Sequence, residues 1–298
     1  MFNKPSTSPR GVQRLNTGAA EEATLTPFPL QVAERCIRGL AACGQTDLLA
    51  TMYSRLSKDQ RGSLPSQSHQ AALQAYLGQI QGSSSSTSNS SSSAVGCALG
   101  ILRRQGVDFL SHTDAGLART VLSAAQRAIQ AAGVQQSSAA VVEVWSKAGK
   151  AQDSQALSGC LLNPNKLALW GLRLLHESGA DKAELQAALT AAVAAHKRPG
   201  NSGQLLALLR CVPDWALGLQ PAAADWGALM CAARQDAASL SQDGEHLESS
   251  IAKQLQQVCN ELRDSYGPSW VEHLGSPAAQ VKTGSGWCVR TANSCCGS

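Results

Sequence analysis

Residues 167–192 read LALWGLRLLHESGADKAELQAALTAA, two apolar helical patterns joined by a short polar stretch. Pro164 suits the start of the first helix, because proline tolerates the first turn. Gly179 stands where a left-handed C-terminal cap belongs. Asp181 with Glu184 then approximates the capping box that begins a second helix. The stretch therefore predicts two helices joined by a tight turn, which is a helix hairpin.

The same organisation extends through most of the chain. Apolar residues make up 43% of it and aromatic residues only 4%, so the core must be mostly Leu, Ala and Val, which suits closely packed helices. No segment shows the clean period-two alternation of a strand. Helices are predicted over Leu30–Cys43, from a cap at Thr46 onward, and over Ser66–Gln81, Ala94–Gln105, Asp114–Ala132, Ser138–Ala148, Pro164–Ser178, Asp181–His196, Gly203–Cys211, Asp225–Ser239 and Asp243–Asp264. We predict an all-α fold, an array of antiparallel helix hairpins that is either α-solenoid-like or irregular, with disordered termini.

Three low-complexity segments mark the domain organisation. Residues 1–29, rich in Ser, Thr and Pro, are predicted to be a disordered tail or a targeting segment. Residues 30–274 form the predicted helical domain, and residues 275–298 a flexible C-terminal tail. The serine tract Ser83–Ser93 is predicted to be a loop within the domain, since it cannot bury apolar surface to offset its chain entropy.

The segment Val32–Leu56, VAERCIRGLAACGQTDLLATMYSRL, resembles a pentatricopeptide or tetratricopeptide unit. The residues that carry the resemblance are Ile37 and Leu40 on the first helix, Gly44 at the turn, and Leu48, Met52, Tyr53 and Leu56 on the second. Leu167–Ala192 has the same shape, and its LALWGLRLL is similar to the octotricopeptide repeats of algal organelle RNA factors. The resemblance implies a helical-repeat protein that binds another protein or RNA. Glu34 departs from it, because pentatricopeptide proteins use a small polar residue at that position to read a base.

The cysteines do not form a metal or disulfide framework. None of the ten lies in a CxxC motif, and their scatter through helices indicates a reducing compartment. Cys36 and Cys43 are two helical turns apart, about 10 Å, which is too far to share a bond or a metal. No HExxH, GxSxG or GxxxxGK[ST] motif occurs. We therefore expect no catalytic residue, no cofactor and no metal.

Tryptophan is the residue type that most suggests a contact with a partner protein. Core packing between helices is its default role, but an exposed tryptophan often anchors an interface. The candidate partner contacts are Trp145, Trp170, Trp215 and Trp226.

The basic residues define the alternative partner, RNA. The net charge of +4 is modest, so RNA binding requires the arginines to converge on one face. The candidate RNA contacts are Arg35, Arg38, Arg103, Arg104, Arg119 and Arg127. The sequence contains no run of 18 apolar residues, so membrane insertion is not predicted. No small-molecule substrate is evident.

Two function classes therefore lead. The first is a non-enzymatic helical scaffold or assembly subunit that binds a partner protein. The second is an organellar RNA-binding helical-repeat factor. Basic residues precede the first acid, Glu21, as in a transit peptide, which suggests a mitochondrion or chloroplast although no amphipathic Arg helix is present. A secreted bacterial effector ranks third and an enzyme with an unrecognised site last.

Overall fold

The computed structural model describes residues 29–82, 88–110, 114–132, 143–148, 154–196, 200–216, 218–240, 256–261 and 263–264. Within these ranges the regular secondary structure is helical and contains no strand, which confirms the all-α class. The predicted tails, except residue 29, and most of the predicted helix Asp243–Asp264 lie outside the described residues.

The helices follow one another with short connections. They are α1 Leu30–Ala42, α2 Thr46–Arg55, α3 Lys58–Gly62, α4 Ser66–Gly82, α5 Ser88–Leu110, α6 Ala115–Ala132, α7 at 143–148, α8 Ser154–Cys160, α9 Asn163–Glu177, α10 Lys182–Ala194, α11 Ser202–Trp215, α12 Ala223–Leu240 and α13 at 256–261.

Local sequence explains several helix ends. Gly44 and Gly179 have positive φ angles of 65° and 84° and end α1 and α9 as predicted, because glycine adopts this conformation without a Cβ clash. Gly106 also has a positive φ, 51°, and interrupts the helical backbone within α5. At the other end of a helix, Asp181 caps α10 by accepting a 2.7 Å hydrogen bond from the amide of Glu184.

Three local predictions are wrong. Thr46 is the first helical residue of α2 and not its cap, which is Gln45 with no side-chain bond. Leu48 was predicted to share one face of its helix with Leu49, Met52, Tyr53 and Leu56, yet it is 57% exposed. Adjacent residues on a helix point about 100° apart, and the core side of α2 passes through Leu49 and Tyr53. Ser88–Ser93 is the beginning of α5 and not a loop.

The helical serine segment has a simple physical reason. Serine is only about 0.5 kcal/mol per residue less favourable in a helix than alanine. The residues that follow, Ala94, Val95 and Ala98, are almost completely buried and hold the helix in place. Packing of that apolar face outweighs the weak preference of serine.

The contact between α6 and α9 is the most extensive in the described structure. It depends on Gly171, where an added Cβ would lie 2.7 Å from Leu122 Cγ and 3.2 Å from the Leu122 backbone N. Only glycine lets the two helices approach this closely. Because α6 and α9 are separated in sequence by α7 and α8, the closest packing is not between sequence neighbours.

The remaining helices pack around this pair. α4 contacts α1, α2, α5 and α6, while α11 contacts α8, α9 and α12. Buried apolar side chains form one continuous core from Ala33 in α1 to Cys259 in α13. Arg210 of α11 joins α13 to it by donating to both carboxylate oxygens of Glu261, at 2.8 and 2.9 Å.

Candidate partner-binding site

The four candidate tryptophans have different environments. Trp145 is 0% exposed, and its Nε1 donates a 2.8 Å hydrogen bond to Ser202 Oγ. It therefore lies in the core and offers no surface to a partner. Trp170 is also buried and packs edge-on against Trp215, with ring centroids 5.5 Å apart. Trp215 and Trp226 are only partly buried, so they alone among the four retain exposed surface.

Three of the six candidate RNA-contact arginines already have partners. Arg38 pairs with Glu34 on its own helix. Arg119 donates to Glu184 Oε1 from Nε at 2.9 Å and from Nη2 at 2.7 Å. Arg127 donates to the backbone carbonyl of Gln81. The bonds of Arg119 and Arg127 link different helices, and all three reduce what these arginines can offer to phosphate.

The other three arginines are exposed. Arg35 lies on α1, and Arg104 donates from Nε to the Gly100 carbonyl at 2.9 Å. Arg103 lies beside a further cation, Lys166 of α9. Burial lowers the pKa of Lys166, and the neighbouring Arg103 guanidinium lowers it further. Neither cation forms an ion pair with any residue in the described ranges.

Two buried carboxylates join helices that are distant in sequence. Asp236 is 0% exposed and accepts hydrogen bonds from the amides of Gly200 and Ser202 and from Ser202 Oγ at the start of α11. Asp225 accepts from its own Ala222 amide and from two side chains of α10, Gln186 and Thr190. Both carboxylates hold helix ends together.

A second buried network centres on Gln204 of α11. Its Oε1 accepts from the Leu162 amide at 2.8 Å and from Asn165 Nδ2 at 2.9 Å, and its Nε2 donates to the Cys160 carbonyl at 3.0 Å. Because the backbone amide of Leu162 can only donate, the atom of Gln204 that it contacts must be the oxygen Oε1. Asn165 must then present its Nδ2 to the same oxygen, which fixes the orientation of the Asn165 amide group. The joint between α8 and α9 is thereby attached to α11.

His196 completes this network. Its Nε2 lies 3.0 Å from Asn165 Oδ1 and its Nδ1 lies 2.9 Å from the Ala192 carbonyl oxygen. Both neighbouring atoms are acceptors, so a neutral ring with one N–H satisfies only one of them. Burial nevertheless dominates and lowers the pKa of His196 to about 4, although the carbonyls of Ala192 and Val193 offset part of its effect.

A third polar group lies among α2, α4 and α5. The Tyr53 hydroxyl and His69 Nδ1 are 2.7 Å apart, and the Tyr76 hydroxyl donates to the Ala50 carbonyl at 3.0 Å. Burial raises the pKa of Tyr53 and lowers that of His69, which the Arg104 charge lowers further. Because the tyrosines and His69 are all buried, this group is part of the core.

A groove opens where α5 and α6 meet the beginning of α9. Its volume is about 390 Å³, and most of its lining is apolar; the lining residues are Ser92, Val95, Ala128, Ala131, Ala132, Leu161, Leu162, Asn163 and Pro164. Leu162 is 41% exposed at its edge. A volume in this range accommodates a few side chains or a small ligand. The groove is thus a concave and largely apolar surface among the described residues.

The first two helices carry a flatter exposed apolar surface. Val32 of α1 is 42% exposed and Leu48 of α2 is 57% exposed. Cys36 and Cys43 lie on the same side of α1 as Val32, at spacings of four and eleven residues.

The sequence did not identify Leu162 or Lys166 as site residues. The available signal was the predicted helix start at Asn163-Pro164, which leaves an apolar Leu162 immediately outside a helix. No group of three or more potential metal ligands occurs in the ranges that the structure covers. No helix there is long and apolar enough to cross a membrane.

Comparison with known proteins does not assign the chain to a family. No protein-family model, no curated protein and no solved structure matches it.

Proposed function

We propose that this protein is a non-enzymatic helical scaffold that binds a partner protein at the groove between α5, α6 and α9. The observation that carries the proposal is the apolar lining of the groove, continuous with the 41% exposed side chain of Leu162. Exposed apolar surface is costly in water unless another molecule covers it. An exposed leucine at the edge of an apolar groove adds apolar surface that a partner can bury.

The structural roles of the buried polar residues support a binding function over catalysis. Asp225 and Asp236 accept hydrogen bonds that hold helix ends. His196 and Asn165 belong to the network that fixes the α8–α9 joint. A catalytic group needs access to a substrate, and these four side chains are all buried.

The groove is rigid on the side where contact is proposed. Gln204 binds the amide of Leu162 and the carbonyl of Cys160, one residue on either side of Leu161. A backbone fixed in this way loses little conformational entropy when a partner binds. The same contacts hold Leu162 in its exposed position.

RNA binding is the second candidate function. It is supported by the exposed Arg35, Arg103 and Arg104 and by Lys166 beside Arg103. It ranks below protein binding because Arg119 and two other candidate arginines are bonded within the chain.

An organellar location remains part of the proposal on the composition of residues 1–29 alone. Fusion of this segment to a fluorescent protein tests it directly. Import into mitochondria or chloroplasts is expected, and diffuse fluorescence would contradict it.

Affinity purification of the tagged chain from its native cells, with and without nuclease, tests the binding function. We expect a defined protein partner that survives nuclease and is lost from Leu162→Glu, with binding about 30-fold weaker if burial of Leu162 contributes about 2 kcal/mol. Leu48→Glu is the matched control, because it places the same charge on another exposed leucine.

The result can contradict the proposal in two ways. Retention of the partner by Leu162→Glu and its loss from Leu48→Glu would move the binding site to α1 and α2. Recovery of a transcript that disappears with nuclease, in place of a protein, would favour RNA binding. Circular dichroism of both variants checks that the helices remain folded.

A further inference from the structure

Two cations near the groove have no anionic partner in the described structure. Arg103 of α5 is close enough to Lys166 of α9 for its charge to lower the pKa of Lys166. Arg119 and Arg210, by contrast, each face a carboxylate, that of Glu184 and that of Glu261. Two like charges that are held together without a counter-charge repel each other, and a bound anion relieves this repulsion. Such unpaired cations are common on anion-binding surfaces.

The positions of these cations relate them to the groove. Lys166 follows the lining residue Asn163 by three positions, so both lie on one side of α9, about one turn apart. Arg103 belongs to α5, which also contributes Ser92 and Val95 to the lining. Lys166 therefore lies about one helical turn from the groove lining, and Arg103, eight residues beyond Val95 on α5, lies near Lys166.

The beginning of α9 adds positive potential at the same place. Its N-terminal cap is Leu162, which makes no side-chain hydrogen bond to the helix, and its first turn contains no acidic residue. By contrast, α10 is capped by the carboxylate of Asp181. The partial positive charge of the α9 N-terminus is thus left without a local anion.

We infer that the groove binds a segment of a partner protein that is both apolar and acidic, with an apolar side chain beside Leu162 and carboxylates facing Arg103 and Lys166. The inference rests on the proposed function and names the chemistry of the partner at that site. An acidic segment satisfies the two cations and the helix N-terminus together, whereas a basic segment would be repelled by all three.

Photo-crosslinking identifies the occupant directly. Asn163, which is exposed and lines the groove, is replaced by p-benzoylphenylalanine in the full chain in its native cells. Gln130, an exposed residue of α6 outside the lining, carries the same group as a control. The expected crosslink from position 163 is to a segment with apolar residues and at least two acidic residues, absent from position 130.

Charge variants then test the role of the cations. A synthetic peptide of the crosslinked segment is titrated against the wild type, Arg103→Glu, Lys166→Gln and the control Arg35→Glu, which changes an exposed arginine of α1. Arg103→Glu is expected to weaken binding about tenfold, and Lys166→Gln about threefold, with both effects reduced by salt. Arg35→Glu is expected to change it less than twofold.

Each other outcome overturns the inference. A crosslink to a basic or uncharged segment, a crosslink to RNA, or no crosslink specific to position 163 does so. So does peptide binding that Arg103→Glu and Lys166→Gln leave unchanged. If Leu162→Glu abolishes partner binding while the charge variants do not affect it, the scaffold function stands and the acidic preference fails.

Discussion

Replacing His196 with glutamine is expected to remove a defined part of the pH dependence of stability. His196 is 1% exposed and has a pKa of about 4, because burial disfavours its charged form. In the unfolded chain the same group titrates near 6.5. The unfolded state therefore binds the proton more readily, and the folded state loses stability as the pH falls below about 6.5.

The two pKa values set the magnitude. Between about pH 8 and about pH 5, the unfolded histidine becomes almost fully protonated while the folded one stays mostly neutral. The linkage relation then gives a loss of about 2 kcal/mol in the free energy of unfolding, and further acidification to below pH 4 brings the total to about 3.4 kcal/mol. His196→Gln cannot take up this proton, so its own loss of stability over the same range should be smaller by about 2 kcal/mol.

Urea unfolding at several pH values measures the difference between the two chains. At about pH 8 the variant is expected to be less stable by about 1–2 kcal/mol, since a hydrogen-bond partner is lost. The difference in the free energy of unfolding between the wild type and His196→Gln should then shrink towards about pH 5. His69, whose pKa burial also lowers, titrates in both chains and cancels from the comparison. A gap that stays constant within about 0.5 kcal/mol from pH 8 to pH 5 would refute the reasoning.

Three further substitutions have expected effects on stability. Gly171→Ala should lower the free energy of unfolding in urea by about 1–3 kcal/mol, because the added Cβ collides with α6. The control Gly39→Ala, with no atom within 4 Å of its Cβ, should raise it by up to about 1 kcal/mol. Equal effects of the two substitutions would contradict the close contact between α6 and α9. Asp236→Asn should lower the free energy of unfolding by about 2–3 kcal/mol, because an amide N–H then faces buried donors. The control Asp214→Asn, at an exposed position, should change it by under about 0.5 kcal/mol, and thermal unfolding of both variants measures the difference. Arg119→Ala should lower the free energy of unfolding in urea by no more than about 0.5 kcal/mol, since the Arg119 side chain is 62% exposed. A loss above about 1.5 kcal/mol would show that the Arg119–Glu184 pair stabilises the fold more than exposed pairs do.

Helix positions were predictable from sequence where the determining interactions are local. Gly44 and Gly179 end helices as the cap pattern predicts, and Asp181 caps the helix that follows it. Glu184 shows where local reasoning ends. The capping box predicts that its carboxylate turns back to Asp181, but it binds Arg119 of α6 instead. A residue 65 positions away determines this choice.

The candidate site was less predictable because it depends on how distant helices meet. Leu162 resembles any other core leucine in the sequence, and only the packing of α9 against α5 and α6 leaves it at the edge of a groove. Trp145 shows the reverse case. It was a candidate contact by residue type, and packing places it in the core with Ser202 as its partner. Exposure is a property of the assembled fold and not of the local pattern.

The cap that Asp236 provides also sets an order of events while the chain is being made. Ser202, at the start of α11, is synthesised 34 residues before the carboxylate that accepts its hydrogen bonds. At the usual rates of synthesis, about 5–20 residues per second, this leaves the first turn of α11 without that acceptor for about two to seven seconds. During that interval Trp145 Nε1 can donate to Ser202 Oγ, but the Ser202 hydroxyl does not yet have the Asp236 carboxylate as its acceptor. The hydrogen-bond chain from Trp145 through Ser202 to Asp236 is therefore completed only when α12 has been synthesised, and a chain truncated before Asp236 lacks its last member.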